Sequence, residues 1–156
     1  MSATQPAQLA RYLKGKKDVL LLTGAMCDEL ELDGKKLIDY AADLAKTLDV
    51  PVAATANTVV GLKARGVTSA AKKYAAEIVD YMRSPWREPI MKNKPKALVF
   101  IGYSPMVAKG LTSMVRDADT VALGNVYIEE ATFSLPDASP TQYQRNLEEL
   151  IKALAS

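Results

Sequence analysis

Two apolar runs constrain the fold of this chain most strongly. The first, Asp18–Leu22, leads into Thr23 and Gly24, and the second, Ala97–Ile101, ends at Gly102. A strand that is apolar throughout must bury both of its faces, as strands do in a parallel sheet that is covered on both sides. We therefore predict that both runs are central strands of such a sheet. The apolar pattern is clearer in the second run.

Amphipathic segments alternate with these runs. The spacing of apolar residues predicts helices over residues 6–13, 35–48 and about 69–83, one that starts at Ser104-Pro105, and one that starts at Ser139-Pro140. Shorter strands are predicted at 52–55 and 120–123, and irregular structure at 57–66 and 85–89. Alternating strands and helices indicate a doubly wound α/β fold. The length of 156 residues favours one domain, residues 1–156.

The helix that starts at Ser104-Pro105 contains a glycine in its interior. Its predicted buried face consists of Val107, Leu111, Met114, Val115 and Ala118. Gly110 lies within this pattern, where glycine costs about 1 kcal/mol relative to alanine. Close packing of another helix is the reason that we expect for it.

The chain contains no histidine and one cysteine, Cys27. These counts exclude Ser-His and Cys-His catalysis, histidine-containing zinc sites and haem ligation by histidine. One thiol cannot hold an iron–sulfur cluster or zinc by itself. The acidic residues show no catalytic pair, so we predict neither catalytic nor metal-binding residues.

Charge and hydropathy narrow the range of partners. The 20 basic and 18 acidic residues give a net charge of +2, and the basic residues form no stripe, which argues against nucleic acid. No segment approaches the roughly 20 apolar residues of a membrane span, and residues 1–6 do not resemble a signal peptide. We expect a soluble, cytoplasmic protein.

The ends of the predicted strands are where a ligand would bind. Parallel sheets bind ligands outside the carboxyl ends of their strands, and the candidate walls here are Thr23-Gly24-Ala25, Thr55-Ala56-Asn57 and Gly102-Tyr103-Ser104. Glycine allows close approach of a phosphate, but residues 24–28 lack the complete G-x-G-x-x-G pattern. Glycines after buried strands are also needed for the turn alone.

A segment with two prolines contains the single tryptophan. Trp86 is followed by Arg87, Ile90 and Met91, a mixture that is typical of contact surfaces between subunits. We predict a subunit interface there. The alternative is that Trp86 folds back as local packing.

Four segments together resemble the epsilon subunit family of the archaeal carbon monoxide dehydrogenase/acetyl-CoA synthase (acetyl-CoA decarbonylase/synthase) complex. The resemblance covers nearly the whole chain and depends on the order and spacing of these segments, which are Val19–Gly24, Pro51–Asn57 with Gly66 downstream, Ala97–Tyr103 and Asn125–Pro136. It implies a Rossmann-like fold similar to the central domain of thiamine-diphosphate enzymes, with six parallel strands.

The resemblance also implies a function in archaeal acetyl-CoA metabolism and methanogenesis. Such a subunit associates with the large nickel-iron carbon monoxide dehydrogenase subunit in a two-plus-two assembly, where it stabilises its partner or assists electron transfer to FAD. Carried onto this chain, a flavin would contact Thr23, Gly24, Asn57, Gly102 and Tyr103. We expect no tightly bound cofactor, with FAD as the candidate, and self-association as a further option.

Two other functions fit the same residues. One is a freestanding nucleotide- or flavin-binding enzyme that uses a carboxylate or Tyr103 for proton transfer. The other is a small-molecule sensor that binds an adenine nucleotide in the same crevice and acts through a partner.

Overall fold

The computed structural model describes residues 2–156, and Met1 lies outside the described residues. Within them the helices are α1 Pro6–Leu13, α2 Met26–Glu29, α3 Leu37–Leu48, α4 Thr58–Ala64, α5 Ala75–Tyr81, α6 Pro105–Met114 and α7 Pro140–Ala155. The strands are β1 Val19–Thr23, β2 Glu31–Leu32, β3 Lys35–Lys36, β4 Val52–Ala54, β5 Ala70–Lys72, β6 Ala97–Ile101, β7 Asp119–Leu123 and β8 Phe133–Ser134.

Six of these strands form one parallel sheet in the order β5-β4-β1-β6-β7-β8. Read along the chain this is the order 3-2-1-4-5-6 of the Rossmann fold. The predicted doubly wound α/β fold is confirmed, as are the two central strands: β1 and β6 are neighbours, with Val19 opposite Ala97 and Thr23 opposite Ile101.

The helices cover both faces of the sheet. Leu21 and Val99 point to one face, where they pack in the core that α1, α3 and α7 contribute to. Leu20 and Phe100 point to the other face, toward α5 and α6. Neighbouring residues of a strand alternate between faces, so an entirely apolar strand joins two cores. No helix among residues 2–156 is both long and apolar enough to cross a membrane.

Helix starts were predicted well where a side chain caps them. Ser104 Oγ accepts a hydrogen bond from the Val107 amide at 3.4 Å, and Ser139 Oγ accepts one from the Gln142 amide at 3.2 Å. In both helices proline occupies the first turn. These contacts confirm the predicted starts of α6 and α7.

The middle of the chain was predicted wrongly. Residues 57–66, predicted as irregular, contain helix α4, whose Thr58, Val59 and Val60 have weak helix propensity. The predicted helix at 69–83 begins as the edge strand β5, which pairs with β4, and becomes helical only at Ala75. The predicted stripe is confirmed at Ala75, Ile78 and Val79, which form the buried face of α5. Ala71 and Tyr74 precede the helix and fit its period by coincidence.

A short hairpin replaces the start of the predicted helix at 35–48. Strands β2 and β3 are joined by Asp33 and Gly34, both with positive φ (49° and 82°), as two-residue hairpin turns require. Helix α3 therefore begins at Leu37, and the Lys36 amide donates to Asp39 Oδ2 at 3.2 Å.

The predicted buried face of α6 is wrong in part. Its buried residues are Ala108, Leu111 and Thr112, whereas Val107 and Met114 are 48% and 44% exposed. Among residues 2–156 the predicted packing at Gly110 is absent as well, because a Cβ there would have nothing within 4 Å.

Candidate functional site

The strand order places the reversal point of the sheet between β1 and β6. Thr23 and Gly24 follow β1 there, and Gly102 and Tyr103 follow β6. We call the region that these four residues line the switch-point crevice. It is where a fold of this kind binds its ligand.

Backbone fills this crevice. The Gly24 amide donates to the Ile101 carbonyl at 2.8 Å, and a Cβ on Gly24 would lie 2.3 Å from the Gly102 oxygen. Gly102 has φ of +86°, and a Cβ on it would lie 2.4 Å from Cys27 Sγ. The two glycines thus allow two loops to touch. The close approach of these loops explains both glycines without a ligand.

The first amides of helix α2 are engaged within the chain. The Met26 amide donates to the Gly102 carbonyl at 3.0 Å and the Cys27 amide to the Gly24 carbonyl at 3.0 Å. The helix has four residues and carries Asp28 and Glu29 in its first turn. Phosphate binding at a helix start needs free amides and disfavours nearby carboxylates. This loop therefore does not fit a dinucleotide pyrophosphate.

Threonine hydroxyls close the floor of the crevice. Thr23 Oγ1 lies 3.1 Å from Thr58 Oγ1, and the Thr58 hydroxyl donates to the Thr55 carbonyl at 2.7 Å. Because the Thr58 proton is used in that bond, Thr23 is the donor between the two hydroxyls. The Thr23 hydroxyl is completely buried and already bonded.

Tyr103 covers the crevice from the β6 side. Its ring lies edge-on to Phe100 with centroids 5.9 Å apart, and its Cδ1 would be 2.7 Å from a Cβ on Gly24. The Tyr103 hydroxyl and the neighbouring Thr55 Oγ1 are buried without hydrogen-bond geometry to any described partner. A separate cavity lies on the other side of Tyr103, toward Leu123 and Gly124 at the end of β7, and it has about 20 Å³, room for about one water molecule.

The titratable groups of the crevice are held in their neutral forms. Burial, and secondarily the charge of Asp28, raises the pKa of the Cys27 thiol to about 12. Burial also raises the pKa of Tyr103, and the Thr55 hydroxyl offsets only part of that increase. At neutral pH both groups keep their protons. Neither can act as a general base or as an anionic nucleophile in this environment.

Four of the five predicted cofactor residues line the switch-point crevice, whereas the fifth, Asn57, lies on the surface next to it. Asn57 is exposed at the start of α4 and makes no capping hydrogen bond. It borders a different depression of about 370 Å³, beside Asp28 and Arg65. Among the described residues no cluster of three potential metal ligands of the His, Cys, Asp or Glu type occurs.

Trp86 is half-buried against the core on the α5 side of the sheet, together with Ile90 and Met91. Its Nε1–H donates to the Met91 carbonyl at 3.0 Å. Arg87 is exposed, and the next residue, Glu88, lies 3.2 Å from Lys73 Nζ. The segment thus has local packing and one free-standing cationic side chain, and an interface there stays a prediction.

Sequence reasoning missed an apolar surface on α6. Met106 is 85% exposed, and Val126 is exposed nearby in a loop. Together with residues 127–130 they line a groove of about 490 Å³. The signal was present as the apolar Pro-Met-Val sequence before Gly110, but the helical stripe was assigned to the core.

No protein-family model matches the chain. It is 26% identical over 154 residues to the acetyl-CoA decarbonylase/synthase complex subunit epsilon 1 of Methanosarcina barkeri, covering 96% of this chain and 86% of that protein. It is 25% identical over an alignment of 160 residues to the subunit of the same name in Archaeoglobus fulgidus, covering 98% and 84%. The resemblance predicted from the sequence is confirmed: along nearly its whole length this chain is similar to epsilon subunits of acetyl-CoA decarbonylase/synthase complexes.

Proposed function

We propose that this chain is an accessory subunit of an acetyl-CoA decarbonylase/synthase complex, acting in the cytoplasm. The observation that carries the proposal is the similarity to two subunits of that name along nearly the full chain. The partner is the large nickel-iron carbon monoxide dehydrogenase subunit, in a two-plus-two assembly. Stabilising that subunit is the function we assign.

The closed crevice supports a stabilising role over a flavin carrier. A dinucleotide site needs several hundred Å³ of pocket and free amides at the helix start. Here the Met26 amide donates to the Gly102 carbonyl, and a Cβ on Gly24 would lie 2.3 Å from the Gly102 oxygen, so backbone occupies the crevice. We propose that the isolated chain holds no FAD tightly and that electrons do not pass through this crevice.

Co-expression with the large nickel-iron subunit tests this function. We expect the two chains to copurify and the large subunit alone to oxidise carbon monoxide, with a shorter half-life of activity at elevated temperature. The isolated small chain should show no turnover. Failure to copurify, or turnover by the small chain alone, would overturn the proposal in favour of a freestanding enzyme or sensor.

The predicted interface at residues 86–91 can be tested in the same experiment. Trp86 is unsuitable because it packs on the core, whereas Arg87 is exposed. Arg87→Glu should reduce copurification, because it reverses a charge at the proposed contact. Lys63→Glu makes the same charge change on exposed α4 and serves as the matched control. Equal recovery of both variants would remove this segment from the interface.

A further inference from the structure

The apolar side chains left uncovered on α6 form one stripe. Met106, Val107, Gly110 and Met114 are exposed on the same side of the helix, and we call these four residues the α6 face. Met106 and Val107 are 85% and 48% exposed, and Met114 is 44% exposed. Contiguous exposed apolar side chains on a helix are typical of a contact surface.

The α6 face is symmetric about Gly110. Met106 precedes Gly110 by four residues and Met114 follows it by four. Four residues advance a helix by about 6 Å, so a two-fold axis that passes beside Gly110 and relates two antiparallel copies places Met106 of one copy opposite Met114 of the other. The missing side chain at Gly110 lies at the crossing point, where two helices must approach each other most closely.

The charges around the α6 face match the same arrangement. In an antiparallel pair the end of one α6 lies beside the start of the other. Arg116 follows the end of α6 and is exposed, and Glu129 lies at the rim of the groove beside Met106 and is exposed too. No ion pair between residues 2–156 includes either of them, whereas Glu130 is paired with Lys109 at 3.8 Å.

The groove beside the α6 face supplies the matching recess. It has a volume of about 490 Å³, and Pro105, Met106, Val126 and Ile128 are among the residues that line it. In the antiparallel pair Met114 of the second copy lies next to Met106. Methionine is flexible and fills irregular apolar recesses well, so its side chain fits this groove.

We propose that the α6 face binds a second copy of this chain. The two α6 helices cross antiparallel at Gly110, each Met114 enters the groove of the other copy, and each Arg116 meets Glu129 across the axis. The contact also explains why residue 110 is glycine. Packing within residues 2–156 does not explain it, because a Cβ there would have nothing within 4 Å. This inference concerns the isolated chain and does not rest on the proposed function.

Sedimentation velocity of the purified chain over a wide concentration range tests the contact. We expect a reversible doubling of mass that Gly110→Leu abolishes, since leucine blocks the crossing while the monomer has space for it. Val60→Ser, at an apolar side chain on α4 that is 72% exposed, should leave the dimer unchanged. A monomer at every concentration, or a dimer that survives Gly110→Leu, would overturn the proposal.

Cysteine cross-linking tests the antiparallel geometry. Oxidised Gly110→Cys should form a covalent dimer, because residue 110 meets itself at the axis. Met106→Cys alone should not, since residues 106 of the two copies are about 12 Å apart, beyond the reach of a disulfide. The native Cys27 is completely buried and should not interfere. Efficient cross-linking of Met106→Cys alone would mean parallel helices and contradict the model.

A charge exchange provides the last test. Arg116→Glu alone and Glu129→Arg alone should each weaken the dimer at least about threefold, and the double variant should restore it. Double-mutant restoration requires that the two side chains meet across the interface. If each single variant dimerises like the unmodified chain, the charges play no part and the proposed pairing is wrong.

Discussion

Two regions of the molecule, the switch-point crevice and helix α6, use glycine in opposite ways. In the switch-point crevice, Gly24 and Gly102 bring two loops into contact, and a Cβ on either would come within 2.4 Å of another atom. On α6, Gly110 faces open space. The first region is filled by the chain itself, whereas the second is left open to another molecule.

The difference indicates that the crevice is closed to a ligand, whereas α6 is open to another protein chain. A glycine after β1 is commonly a sign of a nucleotide site, yet here the loop amides and carbonyls bond to each other. On α6 the spacing of apolar residues predicts that the helix packs against the core, yet Met106 and Met114 are exposed. Exposure, and not residue type, decides which of the two regions offers a binding surface.

The largest effect that we expect is at the crevice. Gly24→Ala forces a Cβ to within 2.3 Å of backbone, and Gly102→Ala adds a positive φ of 86° to its clash with Cys27. Strain and overpacking together should cost about 3 kcal/mol of the free energy of unfolding. Chemical denaturation with urea measures this loss.

A double-mutant cycle tests the cause of that loss. Cys27→Ala removes the Sγ atom that a Cβ on Gly102 would meet at 2.4 Å. The cost of Gly102→Ala should therefore be about 1 kcal/mol smaller in the Cys27→Ala background. An unchanged cost would show that the crevice is looser than described.

Alkaline pH should weaken the crevice next. The folded state raises the pKa of Cys27 from 9.0 to about 12, so the neutral thiol contributes stability below pH 9 that is lost as pH rises toward 12. The free energy of unfolding of the unmodified chain should fall by about 1 kcal/mol more than that of Cys27→Ala between pH 9 and 10. Urea unfolding at both pH values measures the difference. A constant difference would mean that water reaches the thiol.

Gly110→Ala should act in the opposite direction to the crevice variants. It adds a Cβ in open space and a better helix former, so the free energy of unfolding should rise by about 0.8 kcal/mol at dilution where the chain is monomeric. Thermal unfolding followed by circular dichroism measures this gain. A loss of stability would place Gly110 against another part of the chain.

Tyr103→Phe should have the smallest effect on stability. The Tyr103 hydroxyl is buried, and burial raises its pKa. Its contact with the Thr55 hydroxyl offsets part of that increase but lacks the geometry of a good hydrogen bond. Its removal should therefore leave the free energy of unfolding unchanged within about 0.5 kcal/mol or raise it slightly. Urea unfolding measures it, with Tyr143→Phe as control, since the Tyr143 hydroxyl donates to the Leu123 carbonyl at 2.7 Å. An equal loss of unfolding free energy in both variants would contradict this expectation and would mean that the Tyr103 hydroxyl makes a stabilising hydrogen bond.

The central strands could be predicted because burial on both faces leaves an unmistakable apolar run. An apolar pattern does not show which strands pair with each other, so the edge strands β5 and β8 were not predicted. Strand β5 consists of two alanines and a lysine, and β8 has two residues. The short strands depend on pairing with β4 and β7 for their structure.

The positions of two crevice glycines could be predicted from the sequence, whereas the packing around them could not. The apolar runs correctly located Gly24 and Gly102 after the strands β1 and β6, whereas the strand order, which places both glycines at the reversal point, could not be predicted from the sequence. Whether the loops leave room for a ligand depends on distances of a few tenths of an ångström, which no sequence pattern records. The α6 face was assigned to the core because periodicity identifies an apolar stripe without identifying what covers it.

Native mass spectrometry of the chain co-expressed with the large nickel-iron subunit tests the central claim most directly. The account predicts a complex of two large and two small subunits, and a small subunit that is released from it without the added mass of FAD. A small chain that carries FAD and remains apart from the large subunit would contradict it.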